Sequence, residues 1–579
     1  MILTRLKEFA DTQMTLPPTM YADVPIRWLI ELDEQANFTG LTPLGGNDKS
    51  DKRGQSFTAP TLVRSSGISP KLLADNAEYV LGIAREKSKP KRVAEAHSQF
   101  KQLVQACAEQ TKDESLNVVT NFLDTFDVET LALPEDFDAS MTLSFRVHLP
   151  SRSIIPADAR ENLRDVEAFW AEYTATGGAK DDRPIMMCLV TGEERPVEQR
   201  LPEKIKGIPD GQTAGTSLVS ANAEAFTSYG LANSLTSPIS RDAGEKFAKA
   251  INYLINKDDQ HFYMGPLVYI FWLRRGGRLP AIGSLLEPKP QEVKNLLSSA
   301  YSGNEARDIK DNTFYALALS ASGGRAVVRD WLETSIPNVE ANLKTWFLAQ
   351  KIVDTYGQEA DPLGIYALTA AAYRDVSKEM APNVPSKLVA AALKGSRIPP
   401  ELLVKAVNRN RAAGDVTRPR AALIKLVLSY QGVAMSDMQS LNPSPPFEPA
   451  DNVAYHCGRL LAELEAAQRA ALGDINANLS DRYFGSASST PSKVFAVLLR
   501  GSRAHLGNLR KNRPATQNAI ERRLEEIMQN IPTFPNTLTM QQQGLFALGY
   551  YHQRADDRAA AIAAKEAKAN KDSEGETHD

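Results

Sequence analysis

The run Lys204 to Gly230, KIKGIPDGQTAGTSLVSANAEAFTSYG, gathers an unusual set of chemistry-bearing side chains into one short stretch of the 579-residue chain. It opens with two lysines, carries glycines at Gly207, Gly211 and Gly215, and continues through a dense series of small hydroxyl and amide residues. Glycine permits close approach of another molecule, while Lys, Gln, Thr, Ser and Asn supply donors suited to phosphates or base edges. Such a run makes a poor core and reads as a ligand-facing loop, although glycine- and hydroxyl-rich loops also serve as plain connectors.

The signatures of common enzymes do not accompany it. A phosphate-binding loop needs G-x-x-x-x-G-K-[ST]; Gly211 to Ser217 has glycines four apart and no lysine, which argues against a nucleotide triphosphatase. No G-x-S-x-G elbow, H-E-x-x-H helix or dinucleotide glycine fingerprint occurs. A metal-dependent nuclease would want clustered carboxylates and histidines, for which Asp258, Asp259 and His261, or His552 with Asp556 and Asp557, are the candidates. His456 beside Cys457 reads as helix packing rather than a ligand pair.

Several elements must position these residues. The pattern predicts a helix over 2–12, a strand Ile26 to Leu32 turning at Asp33 to Asn37 into a hairpin, and a mobile polar loop over 45–56 with Lys49, Lys52 and Arg53. Leu72 to Ile83 suits a helix, leaving Arg64, Ser65, Ser66 and Lys71 on the loop before it, where they could hold phosphate or merely form a capping turn. Helices are expected over 93–111, 113–125, 157–174, 239–256 and 324–333, with strands at Met141 to His148, Pro184 to Thr191, Tyr263 to Arg274 and Phe314 to Ser320. From about residue 340 alanine and leucine recur at helical spacing. The expected fold is therefore α+β: a mixed α/β region with sheets covered by helices over 1–340, helices over 341–442, an all-α bundle over 443–565 after PSPPFEP, and a disordered tail over 566–579. The apolar Ala225 to Tyr229 is expected to anchor the 204–230 loop to its sheet.

A chain of this length should hold two to four domains, and its 42% hydrophobic content is ordinary for a globular protein. No apolar run approaches the roughly 20 residues of a bilayer span, and the first twenty residues lack a signal-peptide block, so a cytoplasmic protein with no membrane partner is expected. Cys107, Cys188 and Cys457 have no paired spacing and read as buried free thiols. The net charge of -3 hides sorting: Arg85 to Lys101, Lys394 to Lys425 and Lys493 to Arg523 are basic, whereas Lys112 to Asp138 is acidic. Basic tracts suit a polyanion, although any single run is commonly a solvated helix face.

Six stretches taken together carry a resemblance: MILTRLKEF…PPTMYADVPIRWLIELDEQ, ISPKLLADNAEYVLGI, CLVTGEERPV…KIKGIPDGQTAGTSLVSANAEAFTSYG, NVAYHCGRLLAELEAAQ, DRYFGSASSTPSKVFAVLL and QQQGLFALGYYHQR. In this order, from residue 1 to about 554, the chain resembles the large subunit of the type I-C CRISPR Cascade surveillance complex. One departure stands out: the family usually has a histidine just before the IKG segment, and here that neighbourhood reads RLPEKIKG, so no metal role follows for that position.

The resemblance implies a non-catalytic protein without cofactor or metal. Its partners would be double-stranded target DNA, the displaced single strand, the guide-RNA complex with its backbone and small-subunit proteins, and a helicase-nuclease. It would read the protospacer-adjacent motif and assist duplex opening, leaving the remaining specificity to base pairing with the guide. On this reading Lys204 and Lys206 hold phosphates, and Gln212, Thr213, Thr216 and Asn222 contact base edges or wedge the duplex. Arg64, Lys71 and Asn76 complete the site. Lys405, Arg409, Arg411, Arg418, Arg420, Arg500, Arg503, Arg510, Lys511 and Arg513 would guide the displaced strand. The family also implies an internal start, at Met435 or Met438, for a separate small subunit. A metal-dependent nuclease and a helical scaffold that binds only proteins are the competing expectations.

Overall fold

The computed structural model describes the chain except residues 1, 46–52, 63–66, 86–87, 129–130, 132, 176–182, 202, 278, 281, 299–311, 382, 434–448, 474–475 and 576–579, and the side chains of 449–452 and 568–575. Lys49, Lys52, Arg64, Ser65, Ser66, Met435 and Met438 thus lie outside the described residues. The architecture is α+β, with sheets in the N-terminal part and helices through the C-terminal part. The chain divides into two compact units, the first comprising Met1–Gly207, Gly211–Tyr253 and Ala321–Val327, the second Ile208–Asp210, Leu254–Ser320 and Val328–Asp579.

The first unit contains β1 (Tyr21–Ile26), β2 (Trp28–Leu32), β3 (Phe38–Pro43), β4 (Gln55–Pro60), β5 (Asp75–Asn76), β6 (Thr142–His148), β7 (Ser153–Ile154), β8 (Ile185–Met187) and β9 (Glu194–Pro196). Its main sheet runs β3-β2-β6-β5 with β7 on β6, while β1 pairs with β4 and β8 with β9. The expected β2–β3 hairpin forms, and Asp33 Oδ1 accepts the backbone N–H groups of Gln35 (3.0 Å) and Asn37 (2.8 Å). The β2–β6 pairing is parallel and so needs a crossover, which the helices Pro90–Thr111 and Glu114–Thr125 supply. Their apolar faces, including Phe100, Val104, Val119 and Phe122, share one core with Leu29, Ile30 and Phe145 of the sheet.

The helix expected over 72–83 shrinks to Ala77–Val80. Asp75 and Asn76 pair instead with Leu143 and Thr142 of β6, because short polar side chains compete with helical hydrogen bonding and favour caps.

A second sheet pairs β10 (His261–Met264), β11 (Leu267–Leu273), β12 (Thr313–Ser322) and β13 (Arg325–Ser335) in that order; it belongs to the second unit except for the β12–β13 tip Ala321–Val327, which belongs to the first. The single strand expected over 263–274 is a hairpin turning at Gly265, whose φ is +56°. The helix expected over 324–333 is β13: the glycine pair Gly323–Gly324 turns the chain back on β12, and Trp331 then stacks on Tyr315 at 5.7 Å. Alternating neighbours here outweigh a weak helical period. Helix Ile336–Gln350 places Val339, Leu343 and Trp346 in the same core as Phe271 and Phe314 of the sheet.

Helices Pro449–Leu472 and Met540–Gly575 form the spine of the C-terminal bundle. They cross at paired glycines: a Cβ at Gly458 would lie 1.9 Å from the Phe546 carbonyl oxygen, and one at Gly549 1.9 Å from that of Tyr455. The second of these helices continues past residue 565, where fraying was expected, through an Ala/Lys/Glu-rich sequence of high helix propensity. Gly458→Ala is expected to destabilise the second unit by at least about 1–3 kcal/mol. Gly501→Ala, on a helical position facing open space, should instead stabilise it by about 0.5–1 kcal/mol. Urea-denaturation midpoints of the full chain measure both; equal midpoints would refute the close crossing.

Candidate nucleic-acid interface

Main-chain pairing shapes the 204–230 segment. Ile205 and Thr216 exchange two backbone hydrogen bonds (2.8 and 2.7 Å), and the Thr216 hydroxyl donates to the Ile205 carbonyl at 3.1 Å. The turn inside this closure requires Gly215: its φ is +96°, and a Cβ there would lie 2.7 Å from that of Lys204. Asn252, on helix Arg241–Ile255, clasps the entrance by donating to the Lys204 carbonyl and accepting the Lys206 N–H, each at 2.9 Å.

One residue further on, Ser217 joins the β12–β13 hairpin tip. Its N–H donates to the Gly324 carbonyl and its carbonyl accepts from Ala326 N–H, both at 2.9 Å. Arg325 completes the attachment: Nη2 donates to Asn222 Oδ1 at 2.6 Å, and the guanidinium lies 4.4 Å from the Phe226 ring centroid. A Cβ at Gly324 would lie 3.1 Å from Gln212 Oε1, so the hairpin tip and the first half of the loop are in close contact.

This geometry sorts the residues singled out in the sequence. Lys204, Lys206, Gln212, Thr213 and Asn222 are exposed on the one segment, with the Lys204 ammonium donating to the Ser217 hydroxyl. Thr216 is only 1% exposed and spends its hydroxyl on the loop closure, so it is no base-reading residue. Ala225 to Tyr229 is no buried anchor either: Phe226 is 43% and Tyr229 99% exposed, the backbone bonds and Arg325 having taken over the anchoring. Asn76 caps the short helix after β5, its Oδ1 accepting from Glu78 N–H at 3.1 Å, and the Lys71 N–H donates to Asp75 Oδ2 at 2.9 Å.

Three positioning residues escaped the sequence reading. Arg325 and Asn252 are distant from the loop in sequence, and no local pattern marks them. Glu198 is buried between Arg183 and Arg241, both at 2.7 Å, and ties the start of helix Arg241–Ile255 to the strand region preceding the loop. All three cysteines are buried and free. Burial pushes the Cys188 thiol up, but hydrogen bonds from Ser240 and Thr191 outweigh it and bring the pKa down to about 7.

The helical tracts divide as well. Arg420 is buried and hydrogen-bonds the Thr417 hydroxyl at 3.0 Å, which removes it from any strand-guiding role, because its helix Arg418–Tyr430 is packed nearly all round. Arg418 and Arg409 are half-buried, Arg418 donating to the Asp361 carbonyl. Lys405 is exposed with its ammonium 4.7 Å from the Tyr373 ring centroid, and Arg411, six residues on along the same helix, is also exposed. On helix Pro491–Asn512, Arg500, Arg503, Arg510 and Lys511 are all exposed and make no ion pair among the described residues; their spacings of three, seven and one confine them to about 100° of arc. Arg513 follows, exposed, with Nη1 3.4 Å from the Ala470 carbonyl oxygen.

Among the described residues no three His, Cys, Asp or Glu side chains gather as a metal site. His552 instead belongs to the bundle core, Nδ1 2.9 Å from the Tyr455 hydroxyl, and burial reinforced by Lys425 and Arg459 pushes its pKa down to about 3. His456 is pushed down to about 4 by burial and Arg459. Asp557 accepts from Gln553 at 2.9 Å, and burial raises its pKa as it does that of Asp556.

Two outcomes follow. Arg325→Ala should raise proteolytic cleavage or hydrogen exchange in 218–227 severalfold while leaving global stability within about 0.5 kcal/mol, as for a surface substitution. For His552, the unfolded chain takes up a proton near pH 6.5 that the folded bundle refuses until about 3. Its contribution is complete above pH 6.5 and is lost as pH falls. The stability advantage of wild type over His552→Gln should therefore shrink by roughly 1 kcal/mol per pH unit below about 6.5, read by urea denaturation. A constant gap would mean that His552 is not held neutral.

No curated protein matches the chain. Residues 3–557 match the model of the family described as CRISPR-associated protein (Cas_Csd1), and with nearly its whole length covered the chain belongs to that family of CRISPR-associated proteins.

Proposed function

We propose that this protein is the non-catalytic large subunit of a type I-C Cascade complex, acting in the cytoplasm to recognise the protospacer-adjacent motif on duplex DNA. The observation that carries the reading is the pinned 204–230 loop. It offers a lysine pair followed by exposed Gln212 and Thr213 on a backbone already fixed by hydrogen bonds to Ile205 and to the β12–β13 tip. Membership of a CRISPR-associated family supplies the context. Lysines hold phosphates and set register, while a short amide and hydroxyl pair tests base edges. The free cations of helix Pro491–Asn512 form a stripe suited to tracking the backbone of the displaced strand without reading its sequence. Other Cas proteins and the guide RNA complete the complex, and a helicase-nuclease recruited to it performs cleavage.

The test compares duplexes with and without the flanking motif, in the presence of the guide complex. Lys206→Ala should weaken binding on every sequence and lower the salt slope by about one. Gln212→Ala should reduce motif discrimination by about 1–3 kcal/mol and leave general affinity nearly unchanged. Identical behaviour of the two variants would sink the division of roles. Divalent-metal cleavage by the purified chain would favour a nuclease, and salt-insensitive absence of DNA binding would favour a protein-only scaffold.

A further inference from the structure

The apex of the same loop has a geometry that neither phosphate contact nor base-edge reading accounts for. Ser228 and Leu231 close a two-residue turn, Leu231 N–H donating to the Ser228 carbonyl at 2.8 Å and Ser228 N–H donating back at 3.4 Å. Both central residues are left-handed, Tyr229 with φ +52° and Gly230 with φ +74°, as in a type I′ turn. Asn, Asp or Gly normally takes the first central place, because a larger L-residue there costs roughly 1–2 kcal/mol. Tyr229 gains no packing in return, being 99% exposed. A large aromatic ring is thus held in a strained conformation, at the tip of a short turn, with both faces open to solvent.

Three residues earlier the Phe226 ring is 43% exposed and stacked against Arg325, itself held by Asn222. We propose that Tyr229 is the stacking site for an unpaired nucleobase, with the Phe226–Arg325 pair as the second stacking element of the same loop. This rests on the DNA-binding reading above. The chemistry selects a base over a protein surface: Ala223, Glu224, Thr227, Ser228 and Gly230 around the rings are exposed and small or polar, and make no continuous apolar patch. An aromatic face accepts any base, and Arg adds a planar cation. Lys204 and Lys206 of the same segment are exposed to take the adjoining phosphates.

The experiment uses the full chain in the presence of the guide complex and a DNA duplex whose single-stranded overhang begins with 2-aminopurine, against the same duplex with blunt ends. Wild type should bind the overhang more tightly and change the 2-aminopurine fluorescence. Tyr229→Phe should keep both properties, and Tyr229→Ala should lose about 5- to 100-fold in overhang affinity, with its salt slope unchanged because stacking displaces no counterions. Tyr229→Asn separates binding from folding: it should lose overhang binding equally yet raise the thermal midpoint, since Asn tolerates the left-handed turn. Undiminished overhang binding by Tyr229→Ala, while Lys206→Ala still weakens every duplex, overturns this inference alone. Failure of the wild type to bind either DNA overturns it together with the function proposed above.

Discussion

Four main-chain hydrogen bonds, two between Ile205 and Thr216, one from Ser217 N–H to the Gly324 carbonyl and one from Ala326 N–H to the Ser217 carbonyl, decide what the 204–230 segment is. A run of Gly, Ser, Thr and Asn left free would lose about 1–2 kcal/mol of backbone entropy per residue whenever a ligand ordered it. Tied at its middle to a strand hairpin, the segment has already met much of that cost during folding. The bonds engage only the backbone, and so leave the Lys206, Gln212 and Thr213 side chains exposed. Pre-organisation of this kind lets a flexible composition serve as a defined binding surface.

The helical part solves a different problem, the presence of many charges in a tightly packed bundle. The glycines at 458 and 549 bring two helix backbones together, leaving no side-chain layer between them at that level. Buried charges flank the crossing, among them Arg459, Glu463 and Glu465, and each has a partner. Arg523 meets Glu463 at 2.9 Å, Arg459 meets Glu526 at 3.0 Å, and the Tyr550 hydroxyl donates to Glu465 at 2.6 Å. Removing the partner of a buried charge strands it, so Arg459, Glu463 and Glu465 are held for structural reasons. The unpaired cations of helix Pro491–Asn512 face solvent. Basic tracts that look uniform in the sequence are thus two populations, one committed to the fold and one free for a polyanion.

Periodicity made the broad architecture legible, because the long helices and the hydrophobic strands β2, β6, β11 and β12 bury continuous apolar faces. The failures have local causes. β13 carries Ala326, Val327, Val328 and Trp331 in a spacing that fits two periods, and the glycine turn before it decides between them. Arg420 reads as one more surface cation, since nothing in a single sequence says that its helix is surrounded. In the candidate site, the loop was evident from composition alone. Its partner Arg325 was not, because a bond to Asn222 across 103 positions leaves no periodic trace. Ala225 to Tyr229 misled for the converse reason, since apolar side chains normally mark burial and here two aromatic rings are presented outward.

The inventory of free groups sets a limit on what the loop can read. Of the four residues assigned to base edges, Thr216 is internal and the Asn222 Oδ1 is bound by Arg325, which leaves the Gln212 amide, the Thr213 hydroxyl and the Asn222 NH2. One bidentate amide and two single contacts can specify two or three base pairs at most. A protein so equipped could not find a unique site in a genome by itself. On the function proposed above it would not need to, because pairing with guide RNA would supply the long recognition sequence and leave the protein a short flanking one to test. Few groups suited to base edges, set against many exposed cations, is the balance that such a division of labour would require.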